Sequence, residues 1–238
     1  MVELELDEGL AVLTIDRPQA RNAISLETMD RLDETLDKVG DARVLAITGA
    51  GDRAFVSGGD LKELAKLRTV DEAAGMARRM RTICDRIAAF PGPVVAALNG
   101  HALGGGAEFA VSADIRIAAD DIKIGFNQVS LAIMPAWGGA ERLAALVGRG
   151  KALMLAGSGA ILGVEEAHRV GLVDQVLPRD TFDEGWRLLA RSLVNESSGS
   201  IKRVLSGATP EEAIDAFAQL WVADAHWEAA DKVMNRGK

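Results

Sequence analysis

The chain is poor in the residues that build most simple functional sites. Its 238 residues hold one cysteine, Cys84, and three scattered histidines, His101, His168 and His226. A lone cysteine excludes a disulfide framework or a cysteine-based metal site, and the histidines form no zinc-ligand pattern. Cys84 lies in a helical pattern of apolar and basic residues and reads as a small buried hydrophobe rather than a nucleophile. Such cysteine usage suits a reducing compartment. No apolar run approaches the roughly 18 residues of a membrane span. Basic charge is also short: 27 Lys and Arg stand against 35 Asp and Glu, a net charge of −8. That balance disfavours nucleic acid and anionic membranes as partners. The first residues carry Glu3, Glu5, Asp7 and Glu8, the opposite of a signal or transit peptide, so the cytoplasm is the expected location. Neither an internal repeat nor a low-complexity linker is visible.

Several nucleotide and hydrolase signatures are missing too. No G-x-G-x-x-G with a following acidic residue is found, no Gly-Lys-Ser/Thr loop, and no G-x-S-x-G elbow. What remains is a chain with 48% hydrophobic residues. That is enough for one large domain with a full core, or for one domain and an appendage.

Periodicity predicts strands at 2–6 and 10–15 joined by a Glu8-Gly9 turn, and buried strands at 44–48 and 94–98. Short strands follow at 115–118 and 122–124, and a last one at 172–177. Helices are predicted at 26–39, capped by Ser25, from Leu61 through Leu67, and from an Asp71 cap to about residue 89. Further helices are placed at 140–147, 150–156 and 163–169, the last ended by Gly171. From Asp180 onward only helices are read, at 180–194, 200–206 and 210–235. Trp186, Phe217, Leu220, Trp221 and Trp227 give this tail more aromatic surface than it needs for itself, which points to docking on a core or a neighbouring subunit. The loop at 16–23 carries Arg17 and Arg21, either a phosphate contact or a solvated basic turn. Residues 126–139 are irregular yet apolar, as in a loop that lines a pocket.

The chain is organised around Asn99-Gly100-His101-Ala102-Leu103-Gly104-Gly105-Gly106-Ala107-Glu108. Glycines inside a helix cost roughly 1 kcal/mol each relative to alanine. Close backbone approach to a ligand would justify them, as would free N–H groups aimed at a phosphate or oxyanion. Tight helix–sheet packing with an ordinary Glu108 explains the same stretch equally well. A second strand–glycine–helix junction stands at Val56-Ser57-Gly58-Gly59-Asp60-Leu61. Two such junctions can aim two N–H groups at one point, which is an oxyanion hole.

Together with Arg17-Pro18…Arg21-Asn22-Ala23, Pro135…Gly138-Gly139, Arg142-Leu143 and Gly171-Leu172-Val173, these motifs resemble the enoyl-CoA hydratase/isomerase (crotonase) superfamily over almost the whole chain. The resemblance implies an α/β fold: a spiral of ββα units over residues 1–190, with a helical C-terminal trimerisation region at 191–238. It implies an acyl-CoA thioester as substrate, with CoA as part of that substrate and no separate cofactor or metal. It also implies a homotrimer or a dimer of trimers. By position, Gly59 and Gly105 would supply the oxyanion-hole N–H groups. Ala54, Val56, Ser57 and Lys62 would lie along the CoA, with Gly58, Asp60, Leu61, Gly104 and Trp137 also in contact with substrate. Glu108 matches the first catalytic glutamate of the hydratases. Asp114 and Arg116 match a structural part of the pattern and are read as an ion pair.

Gln128 departs from the pattern. It occupies the position of the second glutamate, seven residues before Pro135. A glutamine can hold water but cannot exchange a proton near neutral pH. Glu108 would then serve as both base and acid. A hydratase-type lyase is the leading expectation. A decarboxylase of ethylmalonyl- or methylmalonyl-CoA type, an enoyl-CoA isomerase and a non-catalytic acyl-CoA binder are the alternatives.

Overall fold

The computed structural model describes residues 1–235. Among these residues ten strands build two sheets: β1 (Val2–Asp7), β2 (Leu10–Ile15), β3 (Val44–Gly49), β4 (Ala54–Val56), β5 (Val94–Leu98), β6 (His101–Leu103), β7 (Ile115–Ala119), β8 (Lys123–Gly125), β9 (Ile161–Gly163) and β10 (Gln175–Leu177). The larger sheet runs β1-β2-β3-β5-β7-β10 and the smaller β4-β6-β8-β9. Three consecutive strand pairs, β3/β4, β5/β6 and β7/β8, each place one strand in either sheet. This repeated step is the expected ββα spiral.

The central strands β3 and β5 are buried at every position. Parallel strands covered on both faces read as unbroken apolar runs, which is why 44–48 and 94–98 show no alternation. The edge strand β1 does alternate, with Glu3 and Glu5 outward, and charged edge residues discourage further strand pairing. Helix Val70–Ala88 lays Met80, Ile83, Cys84 and Ile87 on the core at helical spacing. Burial pushes the Cys84 thiol well up, so it is an inert apolar filler as its pattern indicates.

Several boundaries differ from the sequence reading for local reasons. Thr69, not Asp71, caps helix Val70–Ala88, because its hydroxyl and Glu72 complete a reciprocal capping box. Helix Leu26–Leu36 stops short of residue 39. His101–Leu103 is a strand, although Leu103, Ala107, Ala110 and Val111 stand at the 3–4 spacing of a helix, and the helix starts only at Gly105. Leu172 and Val173 close the end of helix Val164–Val170 by donating to Ala167 O, which leaves only Gln175–Leu177 as strand. The helix read over 210–235 is two, Pro210–Val222 and Asp224–Met234, separated by extended Ala223.

Two long-range readings, one on Trp186 and one on Asp114 and Arg116, come out differently. Of the tail aromatics, Trp186 does dock on the core: helix Phe182–Ser192 buries Phe182, Trp186 and Ala190 together. Asp114 and Arg116 do not pair with each other. Buried Arg116 meets Asp174 at 2.5 Å and donates to the carbonyls of Leu172 and Ala113, while Asp114 meets Lys202 at 2.8 Å and accepts from Val94 N. Parallel pairing of β7 with β10 sets Asp174 beside Arg116, a neighbourhood that sequence spacing does not reveal. No described helix is long and apolar enough to cross a membrane.

Candidate active site

Three parallel strand ends make the site. Strands β4, β6 and β8 lie side by side in the smaller sheet, so the segments leaving their C-terminal ends are neighbours. Those segments are Ser57-Gly58-Gly59, Gly104-Gly105-Gly106 and Phe126-Asn127-Gln128. Ligands of parallel α/β sheets bind outside such ends.

The two glycine junctions touch. A methyl group placed on Gly58 would lie 3.3 Å from Gly105 N, and one on Gly106 would lie 1.7 Å from Val56 O. Both Gly58 and Gly104 have positive φ, +98° and +56°, which other residues rarely adopt. Gly59 forms a parallel bridge with Ile24 in which Ile24 N donates to Gly58 O and Asp60 N donates to Ile24 O, each at 2.8 Å. In that geometry the N–H of Gly59 itself faces away from Ile24. Among the described residues no acceptor takes the N–H of Gly59 or Gly105.

Glu108 stands on the all-buried helix Gly105–Ala110 and is 2% exposed. Its Oε1 accepts from Gln128 Nε2 at 2.9 Å and from Ala136 N at 3.2 Å. Its Oε2 accepts from Trp137 N at 2.7 Å and from Gly139 N at 3.0 Å. Burial raises the Glu108 pKa, and these four donors only partly offset the rise. Gln128 Oε1 is buried with no partner, the one such side-chain atom among the described residues. Amide and carboxyl are thus a coupled pair with one acceptor left open.

Next to the two junctions is a cleft of about 570 Å³ lined by Ala54, Ser57 and Leu103, by the cations Arg21, Arg53 and Arg179, and by Asp52 and Asp121. Arg179 chelates Asp121 through Nε and Nη2 and lowers its pKa, and its Nη1 donates to Asn99 O at 2.6 Å.

A two-sheet ββα spiral carrying paired glycine junctions beside one buried glutamate is matched by the family model for enoyl-CoA hydratase/isomerase over residues 5–220. The chain belongs to this family and is an enzyme of it. It is 38% identical over 213 residues to a crotonyl-CoA hydratase of Syntrophomonas wolfei, covering 88% of this chain and 80% of that protein. It is 36% identical over 204 residues to a short-chain-enoyl-CoA hydratase of Clostridium acetobutylicum, covering 84% and 78%. Among solved structures, an enoyl-CoA hydratase from Thermoplasma volcanium superposes with a TM-score of 0.86 at 34% identity, over 97% of this chain and 96% of that one.

The residues aligned with the family pattern fall in three places. Gly59, Gly105, Glu108, Gln128 and Trp137 come together at the strand ends. Ala54 and Ser57 line the cleft, and Gly58 and Gly104 follow directly on its lining residues Ser57 and Leu103. Val56 is wholly buried in β4, while Leu61 and Lys62 are exposed at the rim. Asp60 is occupied structurally: it caps helix Leu61–Leu64 and pairs with Arg17 at 3.0 Å. Arg17 is thereby tied down, and of the two loop arginines it is Arg21 that faces the cleft.

Four contributors escaped the sequence reading. The backbone N–H groups of Ala136 and Gly139 carry no side-chain signal. Arg53 adjoins Ala54 in the chain, and Arg179 reaches the cleft only because the fold brings a distant segment to the same wall.

Proposed function

We propose that this enzyme is a hydratase-type lyase acting on enoyl-CoA thioesters. The observation that carries the reading is the Glu108–Gln128 pair, closed by a 2.9 Å hydrogen bond, beside two glycine N–H groups without internal acceptors. The thioester oxygen accepts from Gly59 and Gly105, and the negative charge that develops on it is stabilised there. Water adds its oxygen to the β-carbon and gives its proton to Glu108. The C=C electrons move to the thioester oxygen as an enolate. Glu108 then returns the proton to the α-carbon, and the thioester carbonyl reforms. Gln128 Oε1 accepts a hydrogen bond from the water and needs no proton of its own. A raised carboxyl pKa suits a group that must both take and give a proton. The CoA moiety lies in the arginine-lined cleft as part of the substrate, and no separate cofactor is required.

Decarboxylation is the second reading, favoured by the amide at position 128 and by the four donors that already engage Glu108. Loss of CO₂ from a malonyl-type thioester needs the hole and one proton but no activated water. Incubation with crotonyl-CoA and with ethylmalonyl-CoA, following hydration and CO₂ release separately, decides between them. Hydration without CO₂ release is expected; the reverse overturns the first reading.

The exposed Phe217, Trp221 and Trp227 cluster on the last two helices supports assembly as a homotrimer or a dimer of trimers through residues after about 190. Light scattering should show a multiple of three protomers; a monomer at micromolar concentration rejects it. The acidic charge and cysteine usage support a cytoplasmic location.

A further inference from the structure

We infer that the indole of Trp137 is the end wall of the acyl pocket and restricts this enzyme to crotonyl-sized, short acyl groups. The inference rests on the CoA-thioester reading above and names the substrate class within it. A methyl group on Gly105 would lie 2.3 Å from Trp137 Cζ3 and 2.4 Å from Cη2, so the six-membered ring packs directly against that glycine. One on Gly59 would lie 3.9 Å from Cζ2 of the same ring and 2.7 Å from Leu64 Cδ1. The indole therefore spans both glycine junctions, and it is 6% exposed. Its backbone is pinned at both ends. The N–H donates to Glu108 at 2.7 Å, and the carbonyl accepts from Arg142 Nη1 at 3.3 Å, while Arg142 also meets Asp85 at 2.5 Å. The ring is thus a fixed wall, since a closely packed side chain on an anchored backbone has no low-cost alternative position.

The cleft that fits the CoA opens on the side of Ala54, Ser57 and Leu103. Trp137 lies on the Glu108 side, where an acyl chain leaving the thioester carbon has to run. A chain that found an open slot would gain about fourfold in affinity per buried methylene. Against a fixed ring it gains nothing.

The test is calorimetric titration with butanoyl-, hexanoyl- and decanoyl-CoA, saturated esters that cannot be hydrated. Wild type should bind butanoyl-CoA at least as tightly as decanoyl-CoA. Trp137→Ala should reverse the order, with decanoyl-CoA favoured by tenfold or more, and Trp137→Phe should fall between. Turnover of 2-decenoyl-CoA relative to crotonyl-CoA should rise in the same order. If Trp137→Ala does not fold, the wild-type series and Trp137→Phe still decide. Affinity rising with chain length in wild type, or an unchanged order in Trp137→Phe and Trp137→Ala, overturns the wall while leaving the thioester site intact. Failure of wild type to bind any of the three esters overturns both.

Discussion

The two glycine junctions do the same geometric task by different means. At the first, Ser57-Gly58-Gly59 leads into helix Leu61–Leu64, which buries none of its residues. There is room for a side-chain cap, so Asp60 accepts from Lys62 N and is held in turn by Arg17. At the second, Gly104 caps helix Gly105–Ala110 with no side chain, and every residue of that helix is buried. The neighbours of this helix are backbone and an indole ring, which cannot move aside. A junction at the surface is stabilised by polar side chains and tolerates adjustment. A junction inside the core is dictated by close approach, and only glycine satisfies it.

The largest test of that contrast is Gly106→Ala against Gly59→Ala. The first places a methyl 1.7 Å from Val56 O, and the second crowds only the end of Leu64, with Trp137 at ordinary contact distance. Gly106→Ala should cost about 4 kcal/mol or more, enough to prevent folding. Gly59→Ala should cost under about 1 kcal/mol. Equal urea midpoints for the two would break the contrast.

Next in size is Glu108→Gln. Turnover should fall by a factor of about 10² to 10⁴, the usual loss when a general acid–base is removed, with CoA-ester affinity nearly kept. The same variant carries a pH signature. Because burial raises the Glu108 pKa, the native state keeps this proton to a higher pH than the unfolded chain does. Its contribution is fully present below the ordinary carboxyl range and is lost as pH climbs through the raised value. Denaturant unfolding across that window should show the decline in wild type and a flatter profile in Glu108→Gln. Identical profiles would mean that the carboxyl is not the group responsible.

Gln128→Glu comes third. A second carboxylate beside Glu108 disfavours joint ionisation and keeps one acid protonated, so crotonyl-CoA hydration should rise about tenfold. A lower rate in the variant would show that the amide itself is the required group. The smallest effect belongs to the surface junction. Asp60→Ala removes a cap and the Arg17 partner together and should cost about 1 kcal/mol, read from thermal unfolding. A loss as large as that of Gly106→Ala would place Asp60 among the core determinants instead.

Much of this was legible in the chain itself. Apolar runs marked β3 and β5 because parallel strands covered on both faces need no polar side. Costly glycines at 58, 59 and 104–106 marked the junctions, and the motif pattern set Glu108 and Gln128 at the positions of the family's two glutamates. Capping and turn signals at Ser25 and Gly171 are local, and both residues hold those positions in the fold. At Asp71 the local signal was outcompeted by Thr69, which has Glu72 three residues on to complete the box.

Partners across long separations were decided only by the tertiary structure. Arg116 meets Asp174, 58 residues on, rather than Asp114, two residues back, because the sheet register and not the sequence spacing sets which groups share a buried space. Trp186 belongs to the core and Trp221 is 46% exposed, although the sequence reading put both on the same helical tail. Trp137 stands in an apolar loop whose sequence says only that it lines a pocket. That its ring lies across Gly105 and Gly59 follows from the backbone of 136–139 wrapping the Glu108 carboxylate. Local conformation is an energy of neighbours along the chain, and the sequence determines it directly. Which side chain closes a site depends on surfaces that exist only after the sheets have assembled.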